Sequence, residues 1–153
     1  VIEIFNLFKR KKDTEDFHTV QENNQENSVL EDGKISLKEI EKFLCTINDQ
    51  KIFTSLLSFI AYYSFIISYY EEHIDSIISV KELLLLKYIP MVREILVSFD
   101  EKNASQKEKE QLVNTICEMN KKLYVTIEGI KEQQQLNLQV DLKTVQDLIK
   151  SDF

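Results

Sequence analysis

The sequence predicts an all-α protein, an antiparallel bundle of four to five helices behind a flexible N-terminal segment, and three observations carry that expectation. The 153 residues contain 2 Gly and 1 Pro, whereas many-stranded sheets and phosphate-cradling loops consume glycines at their turns. Apolar residues recur at helical spacing along most of the chain, and helix-start signals precede two of the apolar runs. With 43% apolar and 29% charged residues, the composition is that of a globular domain able to bury a core.

The N-terminal residues 1–35 read as a segment apart from the bundle at 36–153. "VIEIFNLF", Val1 to Phe8, is mostly apolar, and the basic run Lys9, Arg10, Lys11 and Lys12 follows at once. That junction is patterned like the cytoplasmic end of a membrane segment, where positive charge is retained, or like a short amphipathic helix beside a charged linker. The chain does not begin with Met, so a missing upstream segment is expected. From Asp13 to Glu31 the sequence is rich in acids and amides without periodicity, and it is expected to be a linker.

"LEDGKISLKEI", Leu30 to Ile40, has the second half of a calcium loop, with Asp32, Gly33 and Glu39 in step. The first half places Ser28 and Leu30 where a hard dication needs carboxylates, so calcium is not the expected ligand. The expectation is a tight turn at Asp32-Gly33, then a helix opened by Ser36 with Glu39 completing a capping box. Leu37, Ile40, Phe43, Leu44 and Ile47 would form its apolar face.

Ile52 to Tyr70 is a run of nineteen residues without a charge, near the roughly 20 that span a bilayer. Four Ser, one Thr and four Tyr within it weaken insertion, which favours a central helix in a soluble bundle over a transmembrane span. Thr54, Ser58, Ala61, Ser64 and Ser68 share one side and predict close approach by another helix there. Helix is expected to continue as far as Ile78.

A third helix is expected over Val80–Phe99, kinked or broken at Pro90. Ser105 with Glu108 forms a capping box for a fourth, whose apolar face runs through Leu112, Ile116, Met119, Leu123, Ile127 and Ile130. Gln133 to Asn137 is expected to end it. A short last helix capped by Asp141 would then carry Leu142, Val145, Leu148 and Ile149 inward. Phe43, Leu57, Ile60, Ile67, Leu84, Ile95, Ile116, Leu123 and Ile127 are expected in the core.

"LLLLKYIPMVREILVSF", a polar loop, and "TICEMNKKLYVTIEGIKEQQQLNLQVDLKTVQDLIKSD" together resemble the XpaC-like family of 5-bromo-4-chloroindolyl phosphate hydrolysis proteins, over about Leu83 to Asp152. The matching elements are Tyr88-Ile89-Pro90, the pair Thr115-Ile116, and the closing segment Asp141 to Lys150. Lys87 departs from the family pattern, and so does Phe153, which stands where a Gly usually follows the final Asp. The resemblance implies a bacterial, membrane-associated helical protein, with Tyr88, Pro90, Thr115 and Asp141 in structural roles.

A phosphatase would need chemistry that the sequence does not display. Six positions after Cys45 and Cys117 stand Lys51 and Leu123 rather than Arg, and there is no Asp-x-Asp pair, Arg-His-Gly or Gly-x-Ser-x-Gly. Glu15-x-x-His18 is a single copy, where a di-iron bundle uses two. His73 beside Glu71, Glu72 and Asp75 is the strongest acid–base candidate, although a charge cluster at a helix end is ordinarily a solvated face. Tyr62-Tyr63 and Tyr69-Tyr70 fit core packing with hydroxyls at the rim better than ligand stacking.

The expected function is therefore non-catalytic: a helical interaction or scaffold module, cytoplasmic and held near a membrane surface through Lys9 to Lys12. A phosphate-ester hydrolase or an intrinsic membrane protein is the alternative. No catalytic residue, cofactor or metal is expected, and a net charge of −7 opposes nucleic-acid binding. Two distant cysteines predict reduced, buried thiols in a cytosolic protein.

Overall fold

The computed structural model describes residues 25–73 and 78–153, and every regular element among them is helical. The apolar and basic N-terminal runs, His18 and Asp75 lie outside the described residues. Four helices follow in order: α1 over 25–44, α2 Gln50–Glu72, α3 Val80–Ser98 and α4 Gln106–Asp152.

Residues 25–44 form one helix, so Asp32-Gly33 is not a turn and Ser36 is not a cap: Ser36 is buried in mid-helix. Gly33 costs a helix interior about 1 kcal/mol relative to Ala, and its place is explained by packing. A Cβ there would stand 3.2 Å from Ile89 Cδ1 and 3.9 Å from the Leu86 carbonyl oxygen, so the missing side chain lets α1 lie close on α3. Arg93 of α3 pairs with Glu39 of α1 at 3.2 Å, which fixes the same contact further along.

Asp49 caps α2, its carboxylate accepting the N–H groups of Lys51 at 2.9 Å and Ile52 at 3.0 Å. The helix ends at Glu72 rather than Ile78, and the N–H of His73 closes it on the Tyr69 carbonyl at 3.0 Å. Its buried side is Ile52, Leu56, Phe59, Tyr63, Ile66, Ile67 and Tyr70, with Ser55 among them. The small-residue stripe is not the packing face. Thr54, Ala61 and Ser68 are exposed, and Ser58 and Ser64 only half-buried.

Lys34 pairs with Glu71, and Tyr63 donates to the Leu85 carbonyl at 2.6 Å, so α1 and α3 both run antiparallel to α2. The Asn120 side chain donates to the Ser55 carbonyl at 3.0 Å, and Tyr62 meets Tyr124 edge-on, so α4 runs alongside α2 in the same direction. This is an up-down-up-down bundle with its core between all four helices.

Ser79 and Glu82 form a capping box at the start of α3, and Ser105 and Glu108 form the expected one at the start of α4. Pro90 lies inside an uninterrupted α3. That helix carries two apolar stripes. Leu86, Ile89, Val92 and Leu96 enter the core, so Leu84 and Ile95 are exposed, contrary to expectation; Leu57 of α2 is exposed as well and Phe43 half-buried. Both α2 and α3 are apolar around most of their circumference, so periodicity alone does not select the inward side. Ile60, Ile67, Ile116, Leu123 and Ile127 are buried as expected.

The largest difference from expectation lies in α4. It does not end at Gln133 to Asn137 but continues to Asp152, with Asp141 in its interior. Between Gly129 and Asp152 there is neither Gly nor Pro, and amide residues alone do not break a helix. Leu142, Val145, Leu148 and Ile149 are therefore exposed rather than turned inward.

Candidate functional site

The residues singled out from the sequence do not assemble into a catalytic centre. His73 is exposed at the end of α2, with its ring stacked on Tyr69 at 4.3 Å and its Nδ1 2.8 Å from the Tyr69 carbonyl oxygen. Glu71 is engaged by Lys34 at 2.8 Å, across to α1. Among the described residues no group of three or more His, Cys, Asp and Glu is placed to hold a metal ion. Cys45 and Cys117 are free thiols, and both are exposed, where the sequence had suggested buried ones.

Tyr63 and Tyr70 are core residues. Burial raises the pKa of both phenols, and at Tyr70 the hydrogen bond to Glu82 adds to it. Glu82 thus serves twice, closing the Ser79 capping box and accepting the Tyr70 hydroxyl. The family-like residues are dispersed. Tyr88 is exposed on α3, Pro90 is half-buried within it, Thr115 bonds back to the Gln111 carbonyl at 2.8 Å, and Asp141 is exposed far along α4. Lys9, Arg10, Lys11 and Lys12 lie outside the described residues.

Apolar surface without a partner is what the fold presents instead. On α3, Val80, Leu84, Tyr88, Met91 and Ile95 recur every three or four residues opposite the core stripe, and all are exposed. On α4, the last core residue is Ile130, and every residue from Lys131 to Phe153 is exposed. This projecting arm is amphipathic. Leu138, Leu142, Val145 and Ile149 follow one another at spacings of four, three and four, with Leu148 beside them. Advancing about 100° per residue, that stripe is turned by roughly 65° from the α4 face that carries Leu123, Ile127 and Ile130 into the core.

At the base of the arm, where α2 ends, lies an open groove of about 510 Å³ lined by Tyr69, Tyr70, Lys81, Thr126, Gly129 and Ile130, among others. Its walls are largely apolar and phenolic, Lys81 and Glu82 also line it, and no nucleophile–base pair is found among the lining residues. The arm's stripe is visible in the sequence as the 4-3-4 spacing of Leu138 to Ile149, a pattern equally compatible with the core face of a separate short helix.

Fold and surface together define the class: an all-α bundle carrying a long helical arm. Compared with known proteins, the chain matches no family model, no curated protein and no solved structure.

Proposed function

We propose that this chain is a non-catalytic helical interaction module, whose working surface is the arm of α4. The observation that carries this reading is the exposed stripe Leu138, Leu142, Val145 and Ile149 on a helix that receives no support from the bundle beyond Ile130. In proteins most helical stability comes from packing of an amphipathic face, and an apolar stripe on a helix is ordinarily covered by another element. An interaction module needs such a surface and no acid–base machinery. A location at the cytoplasmic face of a membrane, with Lys9 to Lys12 at the lipid headgroups, belongs to the same proposal, as does the XpaC-like resemblance. The alternative of a membrane-spanning protein draws on α2, which is long and apolar enough to cross a bilayer, with 44% of its most apolar window buried in the bundle.

The test compares wild type with a Leu142→Asp, Val145→Asp variant. In an extract of the producing cells, hydrogen exchange at residues 131–152 is expected to be slow for wild type and fast for the variant, with the melting temperature of the bundle unchanged. The hydrolase alternative is tested separately. Purified protein is expected to show no turnover of a chromogenic phosphate above background, with or without divalent metal, and wild-type turnover abolished by His73→Ala would sink the non-catalytic reading.

A further inference from the structure

We propose that the exposed stripe of α3 is the seat of this chain's own N-terminal segment, with the apolar run Val1 to Phe8 on Val80, Leu84, Tyr88, Met91 and Ile95, and Lys9 to Lys12 against the carboxylates at that end of the bundle. This goes beyond the reading of the α4 arm as an interaction surface, which stands or falls separately. It assigns Lys9 to Lys12 a seat in the absence of a membrane.

Place follows from where the described chain starts. Residues 1–24 lie outside it, and Gln25 lines a groove with Val29, Val80, Leu83 and Lys87, to which no α4 residue contributes. The chain therefore enters the bundle beside the first residue of the α3 stripe. From Val80 to Ile95 that stripe is about 22 Å long, at 1.5 Å per residue, and residues 13–24, between Lys12 and Gln25, can span about 40 Å when extended. The whole stripe is within reach of the apolar run. A segment tethered in this way meets its own bundle at an effective concentration on the order of millimolar, which favours it over a separate chain of equal intrinsic affinity.

The chemistry matches in both halves of the segment. Val1, Ile2, Ile4, Phe5, Leu7 and Phe8 are apolar, with Glu3 and Asn6 between them, and the α3 stripe is apolar from end to end. At the end of the bundle where Gln25 stands, Glu26, Glu31 and Glu71 line one groove of about 410 Å³, and Glu72 closes α2 beside it. Against these stand Lys34, bonded to Glu71, and Lys87, in the neighbouring groove with Glu26, so the balance among the named charges is acidic. Four consecutive cations complement it, through an attraction that exposed charges feel over about 10 Å at 0.1 M salt. Chain order suits both contacts. Lys9 to Lys12 stand between the apolar run and Gln25, so the basic run meets the acidic end while the apolar run passes along α3.

The experiment uses the full chain and trypsin. Residues 13–33 contain no Lys or Arg, so a cut at Lys9 to Lys12 releases the apolar run in a way that mass spectrometry reads directly. That cut is expected to be faster by roughly tenfold or more in Leu84→Asp, Met91→Asp than in wild type, because cleavage tracks the population in which the segment is off the bundle. Glu26→Gln, Glu31→Gln is expected to speed it as well, and circular dichroism checks that both variants are folded. Zero-length coupling of amines to carboxylates is expected to join Lys9, Lys11 or Lys12 to Glu26, Glu31 or Glu72 within single chains, at a rate independent of protein concentration. Equal cutting rates in all three proteins would overturn the proposal. Coupling found only between chains would overturn it in favour of a second copy's segment. Protection of residues 131–152 in cell extract is a separate readout, so failure here leaves the arm's reading in place, and failure there leaves this contact in place.

Discussion

The carboxylate of Glu101 accepts the backbone N–H of Asp49 at 2.6 Å, and the N–H of Asn48 at 2.9 Å as well. Glu101 lies in the loop between α3 and α4, and Asp49 caps α2, so one side chain ties together the two loops at this end of the bundle. Hydrogen bonds to a charged acceptor contribute about 1.5–3 kcal/mol when not fully exposed to water. Glu101→Ala is expected to destabilise the bundle by about 1–3 kcal/mol in urea unfolding, and Glu101→Gln by less. An unchanged midpoint for Glu101→Ala would show that the clamp is ornamental.

The two glycines have opposite expectations. At Gly33 a larger side chain meets Ile89 at the α1–α3 contact, so Gly33→Leu is expected to cost about 1–3 kcal/mol through overpacking. At Gly129 an added Cβ meets nothing within 4 Å, so Gly129→Ala removes backbone freedom from the unfolded chain and stabilises by about 0.5–1 kcal/mol. Thermal unfolding of the two variants beside wild type checks both signs.

Alkaline stability depends on the buried phenols. The ordinary tyrosine pKa is 10.0, and burial raises those of Tyr63 and Tyr70 in the folded chain. A raised folded pKa contributes stability that is complete below pH 10 and is lost as pH climbs above it, because the unfolded chain ionises first. Unfolding midpoints are expected to fall more steeply between pH 9.5 and 11 for wild type than for the double variant Tyr63→Phe, Tyr70→Phe. Parallel curves for the two proteins would refute the assignment.

Ser79→Ala is expected to cost about 0.5–2 kcal/mol, as is usual for the loss of an N-cap. The loss is expected to exceed that of Ser105→Ala, because Glu82 of the first box also holds the Tyr70 hydroxyl, whereas Glu108 bonds only to its own cap among the described residues. A double-mutant cycle of Ser79→Ala with Tyr70→Phe measures that coupling, and additivity within about 0.5 kcal/mol would argue against it.

The bundle was legible from scarce glycine, helical spacing and the Ser105 box, all of which are local signals. The differences between expectation and structure have a common physical cause, in that some helices carry two apolar stripes and only one of them is buried. Leu84 and Ile95 form as regular a stripe as Leu86, Ile89, Val92 and Leu96, and which faces inward is decided by long-range contacts, the approach of α1 at Gly33 and the Tyr63 bond to Leu85 among them. Gly33 itself reads locally as a turn residue, because its reason for being in a helix lies 56 positions away in Ile89. The Glu101 clamp is likewise a side chain meeting backbone 52 positions earlier, for which no spacing rule exists. The Asp49 and Ser79 caps, by contrast, are legible locally, because both are helix-start residue types. The arm was visible only as apolar residues, and a sequence does not say whether such residues are covered within one chain.

Because α4 runs unbroken from Gln106 to Asp152, the arm inherits its angular phase from the bundle. Each residue inserted after Ile130 turns everything beyond it by about 100° and moves it outward by about 1.5 Å. A seven-residue insertion would lengthen the reach by about 10 Å and return the stripe to within about 20° of its present bearing. A two-residue insertion would hardly alter the reach yet would swing Leu142 and Val145 to nearly the opposite side. Length and bearing of the exposed stripe are thus separately adjustable through one helix, with the four-helix core left as it is.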